Sequence, residues 1–110
     1  MKTGLEIKEI KSYSYLNYAS RNGINDTKAT IMVNAEAEFL GYLNFVTDGG
    51  QLPKSVKQNG LYYLYFHFKD IPVILDMLRN EKPIYLIFAD DNKNNCRIST
   101  SVEPVGEGEE

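Results

Sequence analysis

From residue 61 to residue 89 the chain reads LYYLYFHFKDIPVILDMLRNEKPIYLIFA, and along it the spacing of apolar positions changes from strand-like to helical and back. In the middle, Ile71, Ile74, Leu75 and Leu78 fall at i, i+3, i+4 and i+7, with Asp76, Arg79 and Asn80 on the opposite face. Asp70 stands where an N-cap belongs, and Pro72 is tolerated in a first turn. Arg79 suits the negative end of the helix dipole, Asn80 suits a left-handed cap, and Pro83 stops continuation. A helix of about ten residues does not hold alone in water, so this one is predicted to pack on a sheet. The flanking runs, 61–68 and 84–89, are too apolar and aromatic for strands with one wet face. The connection between them suits a right-handed parallel crossover or a plug between antiparallel strands, and the pattern does not choose.

Before this unit the period is closer to two. Residues 5–18 (LEIKEIKSYSYLNY) alternate with a change of parity at Ile10, which predicts one long strand with a bulge. Asn22-Gly23 marks a turn. Residues 27–35 then alternate cleanly, Ala29, Ile31, Val33 and Ala35 against Lys28, Thr30, Met32 and Asn34. Residues 36–46 continue as a strand with Ala37, Phe39, Gly41, Leu43 and Phe45 on one side, where Gly41 marks a bulge, a bend or a close ligand or backbone approach, the bend being the expected one. The segment 48–60 (DGGQLPKSVKQNG) reads as a polar loop with a second Asn-Gly at its end. After 84–89, the turn DDNKNN leads into a last strand at 96–103, with Cys96, Ile98, Thr100 and Val102 sharing a face.

These elements predict an α+β domain over residues 1–103: a mostly antiparallel curved sheet or half-barrel of about six strands, with one short helix between strands 4 and 5. An open sheet with the helix on one face is the alternative. The tail at 104–110, glycine-rich and acidic, is predicted to be disordered.

Composition narrows the function classes. A chain of 110 residues is one domain by length, burying roughly 65% of its unfolded surface. It contains no apolar run long enough for a membrane span and no apolar leader at its start, and its single cysteine, Cys96, forms no internal disulfide. The expectation is a cytoplasmic protein without membrane contact. The net charge of −3 is concentrated at the end: four of fifteen acids lie in the last eight residues. The body is nearly neutral and lacks the clustered basic footprint that nucleic acid requires.

Searches for chemistry mostly fail. Asp90, Asn92 and Asn94 are spaced like the first ligands of a calcium loop, but Asn95 replaces its glycine and Ser101 its bidentate glutamate. One histidine and one cysteine cannot make a zinc site, and no phosphate-binding glycine loop is present. The face carrying Tyr63, Tyr65, His67 and Lys69, opposite Tyr62, Leu64, Phe66 and Phe68, combines ring area with polar tips. With Arg97, these four are the candidate ligand- or partner-binding residues. No catalytic residue, metal or cofactor is assigned. The expected function is a small non-catalytic, homo-oligomeric protein-interaction module that binds itself or another protein. The alternative is a small-molecule binder with an apolar pocket between curved sheet and helix, in which Tyr63, Tyr65, His67 or Arg97 fixes a polar group.

Overall fold

A computed structural model describes residues 5–18, 27–49, 51–91 and 95–100. The Asn22-Gly23 turn, the centre of the DDNKNN turn and the acidic tail lie outside the described residues. The chain runs β1 (Leu5–Glu9), β2 (Ser12–Asn17), β3 (Thr27–Asn34), β4 (Phe39–Val46), β5 (Val56–Gln58), β6 (Leu61–His67), a 3-10 turn (Phe68–Asp70), α1 (Ile71–Asn80), β7 (Ile84–Ala89) and β8 (Arg97–Thr100). Two sheets result, one of three strands in the order β1-β7-β8 and one of five in the order β2-β3-β4-β6-β5.

The parity change at Ile10 is the joint between them. The Ile10 N–H donates to Ile84 O at 2.9 Å, toward β7, and the next amide, Lys11 N–H, donates to Asn34 O at 2.7 Å, toward β3. One strand thus serves two sheets, pairing with β7 along β1 and with β3 along β2. Ile10 itself is buried in the core. The predicted single bulged strand is therefore two strands with a switch between them.

Three further expectations are corrected. Eight strands, rather than six, are present among the described residues, and the helix lies between the sixth and seventh rather than between strands 4 and 5, although it spans the predicted residues. The segment read as a loop contains β5, whose pairing with β6 closes on Asn59 (φ 54°) and Gly60 (φ 81°), the positive-φ pair of a tight hairpin. Because the chain passes to the far side as β5 before turning back, β6 inserts beside β4 and runs parallel to it. The sheet is mixed, and the two sheets do not close into a barrel. Residues 61–68 and 84–89 do not pair: β6 and β7 belong to different sheets.

The helix ends also differ from expectation. The Asp70 side chain makes no cap hydrogen bond because the 3-10 turn runs directly into the helix. A carboxylate instead comes from Asp48, whose Oδ1 accepts the Lys69 N–H at 2.8 Å. At the other end the chain leaves in an extended conformation at Glu81, and Asn80 donates from Nδ2 to Asp76 Oδ1 at 2.7 Å rather than forming a left-handed cap.

The core lies between the sheets. Ala29, Ile31, Val33, Leu43 and Phe45 from the inner face of the large sheet are fully enclosed, and meet Leu86 and Phe88 of β7 and Ile71, Ile74, Leu75 and Leu78 of α1. Leu40 joins them because a register shift between Val33 and Asn34 turns it inward against its expected parity. Gly41 is where backbones approach: a Cβ there would sit 2.0 Å from Tyr62 O of the parallel neighbour, and φ is 155°. The close backbone approach is therefore realised, and the register shift beside Gly41 realises the bulge as well.

Across the core, Glu6 of β1 ties the small sheet to the β5–β6 hairpin. Its Oε1 accepts from Lys57 Nζ at 2.8 Å and from Tyr62 OH at 2.5 Å. The Tyr62 ring lies against Phe88, with centroids 5.4 Å apart. The hydrogen bond from Lys57, then that from Tyr62, holds the Glu6 carboxyl below its ordinary value, while burial and the bond to Glu6 push the Tyr62 phenol upward.

Two outcomes follow from this packing. Gly41→Ala is expected to cost about 3 kcal/mol or more in urea denaturation, because backbone rather than a flexible side chain must move. Glu6, with a folded pKa below the unfolded 4.5, contributes stability that is complete above that pH and is lost as pH falls through the folded value. Tyr62, raised above 10.0, contributes stability that is complete below pH 10 and declines as pH rises further. A series of denaturation midpoints across pH should therefore fall at both limits, with Glu6→Gln flattening the acid limb; an unchanged acid limb would refute the tie.

Candidate functional site

The outer face of the five-stranded sheet bears a cleft of about 560 Å³, and every strand of that sheet contributes to it. From β2 come Leu16 and, one step beyond the strand, Tyr18; from β3, Thr27 and Thr30; from β4, Tyr42 and Asn44. Val56 and Gln58 of β5 and Tyr63 and Tyr65 of β6 complete it. The alternation that sends Ala29, Ile31, Leu43, Phe45 and Leu64 into the core sends their neighbours to this side. Parallel register sets Tyr42 beside Tyr63 and Asn44 beside Tyr65. The Tyr42 and Tyr63 rings stack at 5.1 Å between centroids, and Phe39 meets Tyr42 edge-on at 5.2 Å.

The floor is polar and directional. Thr30 is only 3% exposed, and its Oγ1 donates to Asn44 Oδ1 at 2.9 Å. The Tyr18 hydroxyl lies 3.5 Å from the same Oγ1. Thr30 has one proton and gives it to Asn44, so Tyr18 is the donor in that contact. The chain Tyr18 to Thr30 to Asn44 occupies the Asn44 amide oxygen and leaves its Nδ2 without a partner among the described residues. Among the described residues the lining is also uncharged. In a chain that is 25% Asp, Glu, Lys and Arg, these ten positions hold no carboxylate, amine, guanidinium, imidazole or thiol.

Of the five residues singled out from sequence, Tyr63 and Tyr65 line the cleft. His67 lies further along the same strand, half-buried, outside the lining, with its Nδ1 enclosed and without a hydrogen-bond partner among the described residues. Lys69 is exposed in the 3-10 turn. Arg97 is in the other sheet, at the start of β8, and its Nη1 donates to Asn95 O at 2.7 Å. The structure therefore does not bring Lys69 or Arg97 to the tyrosines. Sequence reasoning missed Tyr18, Thr30, Tyr42 and Asn44. Their signal was present as the polar parity of β3 and β4, but its register against β6 depends on the unforeseen parallel pairing.

A second cleft, of about 520 Å³, lies at the β1–β2 switch against the last turn of α1. Its charges have both signs, with Glu9 and Lys11 paired at 3.4 Å. Cys96, half-buried, closes the β7–β8 connection: its Sγ accepts from Ala89 N–H at 3.4 Å and approaches Ala89 O at 3.7 Å. Among the described residues no three His, Cys, Asp or Glu side chains gather as a metal site, and no helix is long and apolar enough to cross a membrane. Comparison of the chain with protein-family models, curated proteins and solved structures returns no match.

The floor network has a measurable cost. Thr30→Val keeps the shape but leaves Asn44 Oδ1 and the Tyr18 hydroxyl without that partner, and is expected to destabilise by about 1–2 kcal/mol in chemical denaturation. Thr30→Ser should restore most of it; equal stability of the valine and threonine forms would mean that the network is not formed.

Proposed function

We propose that this protein is a non-catalytic interaction module whose docking surface is the tyrosine-lined groove on the outer face of the five-stranded sheet. The observation that carries this reading is the groove's neutral, amphipathic lining. Tyrosine rings supply contact area at low conformational cost, and Asn44, Gln58 and the hydroxyls supply hydrogen bonds. General acid–base chemistry near neutral pH draws on carboxylates, imidazoles or perturbed amines, and the described residues of the lining include none. Retention of a partner is therefore favoured over turnover. The apolar pocket between sheet and helix is the weaker reading, since Ile71, Ile74, Leu75 and Leu78 occupy that side in the same buried cluster as the sheet.

Self-association has a separate support. Among the described residues β1 is the outer strand of the small sheet, and on its outer face Ile7 is 56% exposed, while Ile87 opposite it is buried. An edge strand with apolar side chains is a template for pairing with a second copy.

Two experiments test these readings. Proteins enriched from lysate by the wild-type chain should be lost with Tyr63→Ala/Asn44→Ala and retained with Val73→Ala, which alters an exposed helix position; identical sets from all three would overturn the groove as docking surface. In sedimentation velocity at micromolar concentration the wild type should exceed monomer mass and Ile7→Lys should return it to monomer. A wild-type monomer would remove self-association through β1.

A further inference from the structure

We infer that the groove takes an uncharged, proline-rich segment of another protein, bound as a polyproline II helix. This rests on the groove being the docking surface and names the chemistry of its occupant.

Three properties of the groove converge on that chemistry. The first is extent. Its lining comes from all five strands, so it crosses the sheet over four inter-strand spacings, roughly 19 Å at about 4.8 Å each. A polyproline II chain rises about 3.1 Å per residue, so about six residues, two turns, span it.

The second is position. The groove lies on a sheet face, where the backbone N–H and C=O groups already serve the ladders between neighbouring strands. A β-strand ligand, which is held by main-chain bonds at an edge, gains nothing there. Polyproline II makes no internal hydrogen bonds and presents its carbonyls outward, to be met by side chains.

The third is the balance of donors and acceptors. The Tyr18–Thr30–Asn44 chain consumes the Asn44 oxygen and leaves the amide nitrogen, and the lining adds the Gln58 amide and the Tyr63 and Tyr65 hydroxyls. Proline carries a carbonyl and no N–H, so a proline-rich segment is rich in acceptors, and the Asn44 and Gln58 amides and the tyrosine hydroxyls can donate to them. Its pyrrolidine rings pack on aromatic walls. A neutral oligosaccharide also stacks on tyrosine and is the competing occupant that the test below separates. The absence of charge among the described residues of the lining favours an uncharged segment. The occupant is not part of this chain, which has four isolated prolines, Pro53, Pro72, Pro83 and Pro104.

The test is an amide NMR titration of the full chain with three probes: decaproline, a Gly-Ser peptide of equal length, and cellohexaose. Decaproline should shift the amides around Tyr42, Asn44, Tyr63 and Tyr65 saturably, with Kd in the range of tens to hundreds of micromolar, and a severalfold rise in salt should leave that Kd unchanged. Tyr63→Ala and Asn44→Ala should each weaken it at least about tenfold. Tyr63→Phe, which retains the ring and the fold but removes a donor, should weaken it less. Equal binding of the Gly-Ser peptide, binding of cellohexaose instead, shifts confined to the cleft at the β1–β2 switch, or no shifts at millimolar decaproline would each overturn the inference. If decaproline fails while partner capture remains sensitive to Tyr63→Ala/Asn44→Ala, the docking surface stands and only its assigned occupant falls.

Discussion

Two adjacent amides determine the architecture. At Ile10 the backbone hydrogen-bonds toward β7, and at Lys11 it hydrogen-bonds toward β3. A strand that changes partners in mid-course cannot lie flat in one sheet, so the β1-β7-β8 sheet is carried across the inner face of the larger one. Ile10 fills the corner, and Glu6, further back on the same strand, reaches over the core to Tyr62 and Lys57. The core has two walls because one strand contributes to both.

The functional consequence is an asymmetry between the faces of the five-stranded sheet. Its inner face packs in one buried cluster with β7 and α1. Its outer face bears the cleft lined by tyrosines and, among the described residues, no charged side chain. Parallel pairing of β4 with β6 gathers Tyr42, Asn44, Tyr63 and Tyr65 on that side, and Thr30 and Tyr18 fix the Asn44 amide from across the floor. Uncharged hydrogen-bonding side chains held among tyrosine rings are suited to shape and carbonyl pattern rather than to charge, which is the basis of the proposed docking role.

Much of this was legible in the residues. The helix at Ile71–Asn80 and the sides of β3 and β6 follow from periodicity, but residues 61–68, expected to lack a wet face, bury only Tyr62 and Leu64 fully and leave Tyr63 and Tyr65 half-buried in the cleft. The switch at Ile10 registered only as a lost parity, since periodicity records where side chains point and not which neighbour the backbone bonds. β5 is three residues long and mostly polar, too short for any period, so the parallel insertion of β6 was hidden with it. That one omission also explains the uneven fate of the candidate site. Tyr63 and Tyr65 are visible from β6 by itself, whereas Tyr42 and Asn44 join them only once the β4–β6 register is known. Arg97 was grouped with them on chemistry, and topology separates it into the other sheet.

The sidedness of β6 is the claim on which both core and groove depend, since a slip of one residue exchanges them. Mass-spectrometric footprinting of tyrosines under brief nitration measures it directly. With Tyr62 at 2% exposure and Tyr15 and Tyr18 at 39% and 42%, Tyr15 and Tyr18 should react fastest, Tyr63 and Tyr65 more slowly, and Tyr62 only on unfolding. Nitration of Tyr62 at the rate of Tyr63 or faster, in the folded protein, would contradict the account.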